Sequence, residues 1–237
     1  MLLYIIRHGI PDYATDSLTP DGQKQAEAVA RRLQVHGIDE VYASPLGRAK
    51  QTAEPTCRAL GLEMKIEPFM SEGTAWQHFT AFYEENKRTW AFTQRGKILG
   101  SDDSFDAKNG YGRNLYADDD MARKGLAIIK EGSDAFLAKL GYEKTEVGNG
   151  YRAVAPNEKR IAAFCHQGFG LHWLAYLLNF PLHLFTASFD ISHTGLTIVR
   201  FSAESNGIAY PHCLCLSDLS HIYGDGLPLR YHDQLDI

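Results

Sequence analysis

Cysteine is scarce: four residues in 237, at positions 57, 165, 213 and 215, too few and too unevenly spaced for a disulfide framework. A reducing compartment is therefore expected. Basic residues are also in short supply, with 24 Lys and Arg against 29 Asp and Glu and a formal net charge of −5. A protein gripping a nucleic-acid backbone needs clustered cations, so that partner class is excluded and any anion site must be local. No apolar run approaches the roughly 20 residues that a membrane helix requires. Residues 1–6 are apolar for too short a stretch, and lack the basic start, to read as a signal peptide. The expectation is a soluble, cytoplasmic protein without a membrane partner.

Repeats and low-complexity tracts are missing, and so is metal-ligand spacing of the HExxH or paired CxxC kind. His172, His183, His193, His212 and His221 invite a metal reading, as does His212-Cys213-Leu214-Cys215. In a strand, however, alternation sends His212 and Leu214 to one face and Cys213 and Cys215 to the other. No metal site and no cofactor are expected.

What is present is an α/β pattern. Residues 2–6 form a short, wholly apolar run ended by Arg7-His8-Gly9, as suits a strand buried on both faces that stops at a functional loop. Thr19-Pro20 reads as an N-cap followed by proline in the first helical turn, and Ala26, Val29, Ala30 and Leu33 then recur at helical spacing up to Gly37. Residues 40–44 read as a second strand. Pro45 precedes a helix with Ala49, Ala53, Cys57 and Leu60 on one face, placing Arg48 in its first turn. Residues 64–67 give a third strand, followed by Met70-Ser71-Glu72-Gly73. The pattern resumes at residues 160–165, ended by His166-Gln167-Gly168 and a helix to about residue 178. Further strands are expected at residues 195–201 and 209–216. Strands alternating with helices imply a parallel sheet with right-handed crossovers.

Between these parts, residues 73–159 read as a mainly helical insertion capping the active-site edge of a single domain spanning 1–237. Its amphipathic stretches, residues 78–94 (Phe79, Phe82, Tyr83, Trp90) and 121–140, flank a polar segment with Asp102-Asp103 and Asp118-Asp119-Asp120. The acidic groups read as a solvated face and a helix start rather than a metal site. No sheet is expected within this block, and residues 143–158 read as a loop or hairpin.

Two strands thus end in histidine followed closely by glycine, and in a parallel sheet both histidines reach the same carboxyl edge, where open α/β sheets bind ligands. Arg7 and Arg48 join His8 and His166 there. Two guanidinium groups, two imidazoles and a helix N-terminus make an anion-selecting pocket suited to a phosphoryl group. A neutral His8 is placed to attack phosphorus in line, splitting one difficult displacement into two. The leaving alkoxide then needs a proton, for which Glu72 is the best-placed carboxyl and Asp12 the runner-up.

Arg7-His8-Gly9, the run Leu18-Thr19-Pro20-Asp21-Gly22-Gln23, Ser44-Pro45-Leu46-Gly47-Arg48 and His166-Gln167-Gly168 together resemble the histidine phosphatase superfamily in its phosphoglycerate mutase-like branch. The resemblance implies a three-layer α/β/α sandwich with a mostly parallel central sheet and metal-independent chemistry. It implies that His8 is the phosphorylated nucleophile, that Arg7, Arg48 and His166 hold the phosphoryl oxygens, and that Glu72 is the proton donor. Gly9 and Gln167 join the expected substrate-binding set. The chain departs from the family pattern at Pro11 and Ala14, where Thr and Asn often stand, leaving that phosphate contact to Asp12, Tyr13 or the insertion. The expected activity is hydrolysis of a small phosphorylated metabolite. A phosphoglycerate mutase-type transfer and a non-catalytic phosphate-binding adaptor remain the alternatives. The substrate's identity and the oligomeric state, with a homodimer among the options, are left open.

Overall fold

A computed structural model describes residues 1–100, 115–146 and 148–229. Six strands build the central sheet and are numbered in chain order: β1 (Leu2–Arg7), β2 (Glu40–Ala43), β3 (Met64–Ile66), β4 (Arg160–Cys165), β5 (Leu196–Arg200) and β6 (His212–Asp218). Their spatial order is β6-β5-β1-β4-β2-β3. The strands β1, β4, β2 and β3 run parallel, whereas β5 is antiparallel to both β1 and β6. The two central strands, β1 and β4, are the two that end in His8 and His166, so the register Arg7↔Cys165 brings those histidines side by side.

Alternation along the strands divides the core into two layers. Tyr4 and Ile6 of β1, Val41 and Ala43 of β2 and Ala162 and Phe164 of β4 face α1 (Pro20–His36) and α2 (Gly47–Leu60), meeting Val29, Leu33 and Ala53. Leu3, Ile5, Tyr42, Ile161, Ala163 and Cys165 face the other way. They pack against α5 (Asp119–Lys139), α6 (Gln167–Leu178) and α7 (Leu182–Ser188). The architecture is the expected three-layer α/β/α sandwich.

Local chemistry sets the element ends. Thr19 Oγ1 accepts from the Gly22 N–H at 3.1 Å, Pro20 opens α1, and Gly37 closes it in the left-handed region at φ 73°. Asp118 caps α5, its Oδ1 accepting from the Asp120 and Met121 N–H groups at 2.8 and 3.1 Å, so the acidic triplet is the helix start that the sequence predicts. Asp102 and Asp103 lie outside the described residues.

The segment after Glu72 differs from its expected secondary structure. The short α3 (Glu72–His78) ends where a helix was expected to begin, and residues 78–94 fold as a hairpin, Thr80–Glu84 against Lys87–Trp90, then a 3-10 turn at Ala91–Thr93. The reason is local: Thr80, Phe82, Tyr83, Thr89 and Trp90 suit a pleated strand, and Asn86 takes the left-handed conformation, φ 63°, that the turn demands. A short α4 (Arg95–Leu99) follows. Residues 142–153 form a second hairpin, Tyr142–Lys144 with Tyr151–Ala153, to which Ile208–Ala209 adds a third strand. Two small sheets therefore involve a block expected to have none. The predicted strand at 209–216 is correspondingly split, its first part joining this small sheet and its second becoming β6. The chain's last described helix, α8 (Ser220–Gly224), lies against α1. Among the described residues no helix is long and apolar enough to cross a membrane.

Candidate active site

At the carboxyl edge of β1 the chain turns through Gly9 because nothing larger fits: a Cβ there would sit 2.6 Å from the Gly22 carbonyl oxygen. This close approach of loop to helix seats His8 against the sheet, 2% exposed. Its Nδ1 lies 2.7 Å from the Gly9 carbonyl oxygen and its Nε2 lies 3.3 Å from Arg48 Nε. A carbonyl only accepts and a guanidinium only donates, so Nδ1 carries the proton and Nε2 presents its lone pair. Burial, then the neighbouring His166, Arg7 and Arg48, holds the His8 pKa well below the usual histidine value. The ring is neutral near pH 7.

His166 packs beside it, ring centroids 5.1 Å apart. Its Nε2 is 2.7 Å from Ser44 Oγ at the end of β2, and burial, then Arg48 and Arg7, pushes its pKa down as well. Arg7 is fixed from behind, donating from Nη1 to the Ile191 carbonyl at 2.7 Å and meeting His193 Nε2 through Nη2 at 3.0 Å. Arg48, in the first turn of α2 as the sequence predicts, donates from Nη1 to Asp16 at 2.6 Å. Asp16 also accepts the Gly47 N–H at 2.6 Å, so one carboxylate pins both the arginine and the helix that carries it.

Two buried polar atoms at this centre, Arg7 Nε and His166 Nδ1, have no hydrogen-bond partner among the described residues. Buried polar groups are rarely left so, and an oxyanion seated between the two arginines would supply acceptors. The set His8, Arg7, Arg48 and His166 is thus brought together. Gly9 accepts from His8 Nδ1 through its carbonyl and gives its N–H to Thr52 Oγ1, and Gln167 donates to Asp190.

Glu72 reaches the same centre from α3. Its two carboxylate oxygens accept the Gly168 and Phe169 N–H groups at 2.9 and 2.7 Å, at the N-terminus of α6. Burial nevertheless raises its pKa, outweighing those two hydrogen bonds and the charges of Arg7 and Arg48. Asp12, by contrast, spends both oxygens on its own turn, accepting from the Ala14 N–H at 3.0 Å and the Thr15 hydroxyl at 2.9 Å.

Sequence reasoning did not single out Asp16, Ser44 or His193 for the site. Ser44 was within reach of the strand-edge rule, since it ends β2 at the same edge. Asp16 and His193 come from loops whose approach only the folded chain reveals. A cleft of about 410 Å³ opens from the centre, lined by Tyr13, Leu46, Arg48, Glu72, Gly73, Trp76 and Trp90. A separate cavity of about 370 Å³, bordered by Lys130, Lys144 and Tyr176, contains none of these groups.

Residues 3–103 match the family model of the histidine phosphatase superfamily, branch 1. Among curated proteins, "Probable phosphoglycerate mutase GpmB" of Enterobacter sp. (strain 638) is 34% identical over 79 residues, covering 30% of this chain and 37% of that protein. The Yersinia pestis (strain Pestoides F) protein of the same name is 35% identical over a match of the same extent. The chain thus matches little more than a third of the length of these relatives. Solved structures align over far more of it. A phosphoserine phosphatase from Entamoeba histolytica, in complex with 3-phosphoglyceric acid, covers 93% of this chain and 98% of its own at 20% identity and a TM-score of 0.58. A mycobacterial glucosyl-3-phosphoglycerate phosphatase covers 91% and 98% at 15% identity and a TM-score of 0.56. At such identities the likeness speaks for the fold alone. The sequence match to the histidine phosphatase superfamily thus lies over residues 3–103, and the solved structures share the fold.

Proposed function

We propose that the protein is a metal-independent phosphomonoesterase working through a phosphohistidine on His8. The observation that carries this reading is the fixed tautomer of His8, with Nδ1–H on the Gly9 carbonyl and the Nε2 lone pair turned toward the Arg48 guanidinium. Nε2 attacks phosphorus, the N–P bond forms as the ester P–O bond breaks, and Glu72 gives its proton to the departing alkoxide. Arg7, Arg48 and His166 bind the phosphoryl oxygens, where charge develops in the transition state. If Ser44 donates to His166 Nε2, the proton on Nδ1 is free for a phosphoryl oxygen. Water then attacks phosphorus, the N–P bond breaks, and the Glu72 carboxylate takes up the water's proton. The raised Glu72 pKa and the lowered His8 pKa both favour the starting protonation states, an acid facing a neutral nucleophile.

Transfer of the group back to a second position on the substrate, as a mutase does, uses the same first half-reaction, and the curated names favour it as the second reading. Hydrolysis of p-nitrophenyl phosphate in EDTA by the wild type and His8→Ala tests the proposal, together with acid-quench trapping of a labelled phosphoenzyme. Turnover and label are expected in the wild type and neither in His8→Ala. Equal activity in both would overturn the assignment of the nucleophile, and a requirement for a bisphosphate primer would favour the mutase.

A further inference from the structure

The helix that carries Glu72 also carries Trp76 four residues on, so the two side chains share one face of α3. Both line the cleft that opens from the phosphoryl centre. An oxygen protonated by Glu72 must therefore hold its organic group alongside the Trp76 ring. That ring meets Trp90 edge to face, centroids 5.0 Å apart at 86°, and Trp90 is itself stacked on Phe92 at 5.4 Å and 16°. Trp90 lies flush against the start of α6, where any residue but glycine at 168 would place its Cβ 2.3 Å from the indole. The wall is thus built and held before any ligand arrives.

The lining also includes Leu46 and Tyr13, whose ring faces the Arg48 guanidinium at 5.4 Å. Tyr13 is 70% exposed and Trp76 40%, a large amount of aromatic surface to leave facing water in a cleft. The charged side chains among the described lining residues are Arg48 and Glu72. Arg48 is already engaged by Asp16 and His8, and Glu72, held as the acid, offers no positive charge. A leaving group bearing a carboxylate would lose its hydration there without gaining a further cation among the described lining residues, whereas a flat apolar group would cover three rings.

We infer that the substrates of this site, on the phosphatase reading above, are phosphomonoesters whose alcohol carries an aromatic or similarly flat apolar group, and that Trp76 sets this preference. Small carboxylated esters of the phosphoglycerate kind are then poor substrates. Leaving-group basicity is kept comparable by using alkyl esters throughout.

The wild type is assayed on 2-phenylethyl phosphate and 3-phosphoglycerate, and the ratio of their kcat/KM values is measured again in Trp76→Ala and Trp76→Phe. The wild-type ratio is expected to exceed about tenfold, to fall at least fivefold in Trp76→Ala through KM, and to be largely retained in Trp76→Phe. In parallel, 2-phenylethylphosphonate and 2-carboxyethylphosphonate are titrated against the tryptophan fluorescence of His8→Ala, a readout that needs no turnover. The phenyl compound should bind at least tenfold tighter. A carboxyethylphosphonate bound equally or more tightly, or a ratio unmoved in Trp76→Ala, overturns the inference and leaves the phosphatase reading intact. Failure of every ester to turn over, with the phosphonate preference present, overturns the phosphatase reading and retains the aromatic preference as that of a phosphate-binding site.

Discussion

The two faces of the central sheet are furnished differently. On the face covered by α1 and α2 the core is mostly aliphatic, built on Ile6, Val29, Leu33, Val41 and Leu196, with Tyr4 and Phe164 as its buried aromatics. The face covered by α5, α6 and α7 is crowded with rings: Phe136, Phe169 and Trp173 are fully buried there, Phe69 joins them, and Phe79 stacks on His172 at 3.8 Å. The aliphatic layer belongs to the segments that position His8 and Arg48. The aromatic layer is continuous with the segment that supplies Trp76 and Trp90. On the readings proposed above, phosphoryl binding by His8 and Arg48 and leaving-group selection by Trp76 rest on different layers, with Glu72 on α3 joining the two.

The largest effect that would sharpen this division is expected from Glu72→Gln. Loss of the acid should lower kcat on alkyl esters by about 10²–10⁴-fold, with a much smaller loss on p-nitrophenyl phosphate, whose leaving group needs little protonation. The wild-type profile should be a bell. Its acid limb, where His8 becomes protonated, lies well below 6.5 because that pKa is lowered, and its basic limb, where Glu72 ionises, lies above 4.5 because that pKa is raised. In Glu72→Gln the basic limb should vanish. A basic limb that survives would assign it to another group.

Arg48→Lys comes next. A lysine keeps the charge but loses the fork that reaches His8 and Asp16 together, so kcat/KM should fall by about 10²-fold for aromatic and carboxylated esters alike. A change in the ratio between those esters would contradict the separation of layers. Asp16→Asn should cost about tenfold, because it weakens a charge-assisted hydrogen bond that holds Arg48 in place without touching substrate. Its signature is a raised KM for every ester and an inorganic phosphate inhibition constant raised in parallel.

The last effect falls on stability, leaves selectivity untouched and belongs to the aromatic layer. His172 is buried, donates from Nδ1 to the Gly168 carbonyl at 2.6 Å, and has its pKa lowered to about 4, chiefly by burial. A histidine whose pKa falls on folding binds fewer protons in the native state, so its cost is absent above pH 6.5 and grows as pH drops toward 4. Over that interval it should remove about 3 kcal/mol, read as a steeper fall of denaturant midpoint in the wild type than in His172→Gln. Equal slopes would show that this ring does not titrate with unfolding.

Much of the α1–α2 face was legible in the sequence, because its signals are local. The apolar run before Arg7, the Thr19-Pro20 cap and the glycine ending α1 each act over a few residues, and the strand-edge rule then gathers His8, His166 and Arg48 without further information. Glu72 was legible by the same rule. The 78–94 segment misled because Phe79, Phe82, Tyr83 and Trp90 satisfy a helical period as well as a strand, and a left-handed Asn86 is the only strong break between them. Asp16 and His193 were illegible for another reason. Their roles depend on loops arriving from elsewhere in the fold, and no short-range pattern encodes such an arrival.

The pair of hydrogen bonds from Gly168 and Phe169 to Glu72 ties together residues 96 and 97 positions apart. They act as a clasp across the mouth of everything between α3 and α6, so the carboxylate proposed above as the acid also fastens that long stretch at its base. Behind such a fastening, the chain between α3 and α5 is at liberty to vary in length and in the rings it presents while the phosphoryl pocket keeps its dimensions. Selectivity would then be exchangeable as a cassette, with one limit: a residue larger than glycine at position 168 would disturb the clasp and the Trp90 wall in the same stroke.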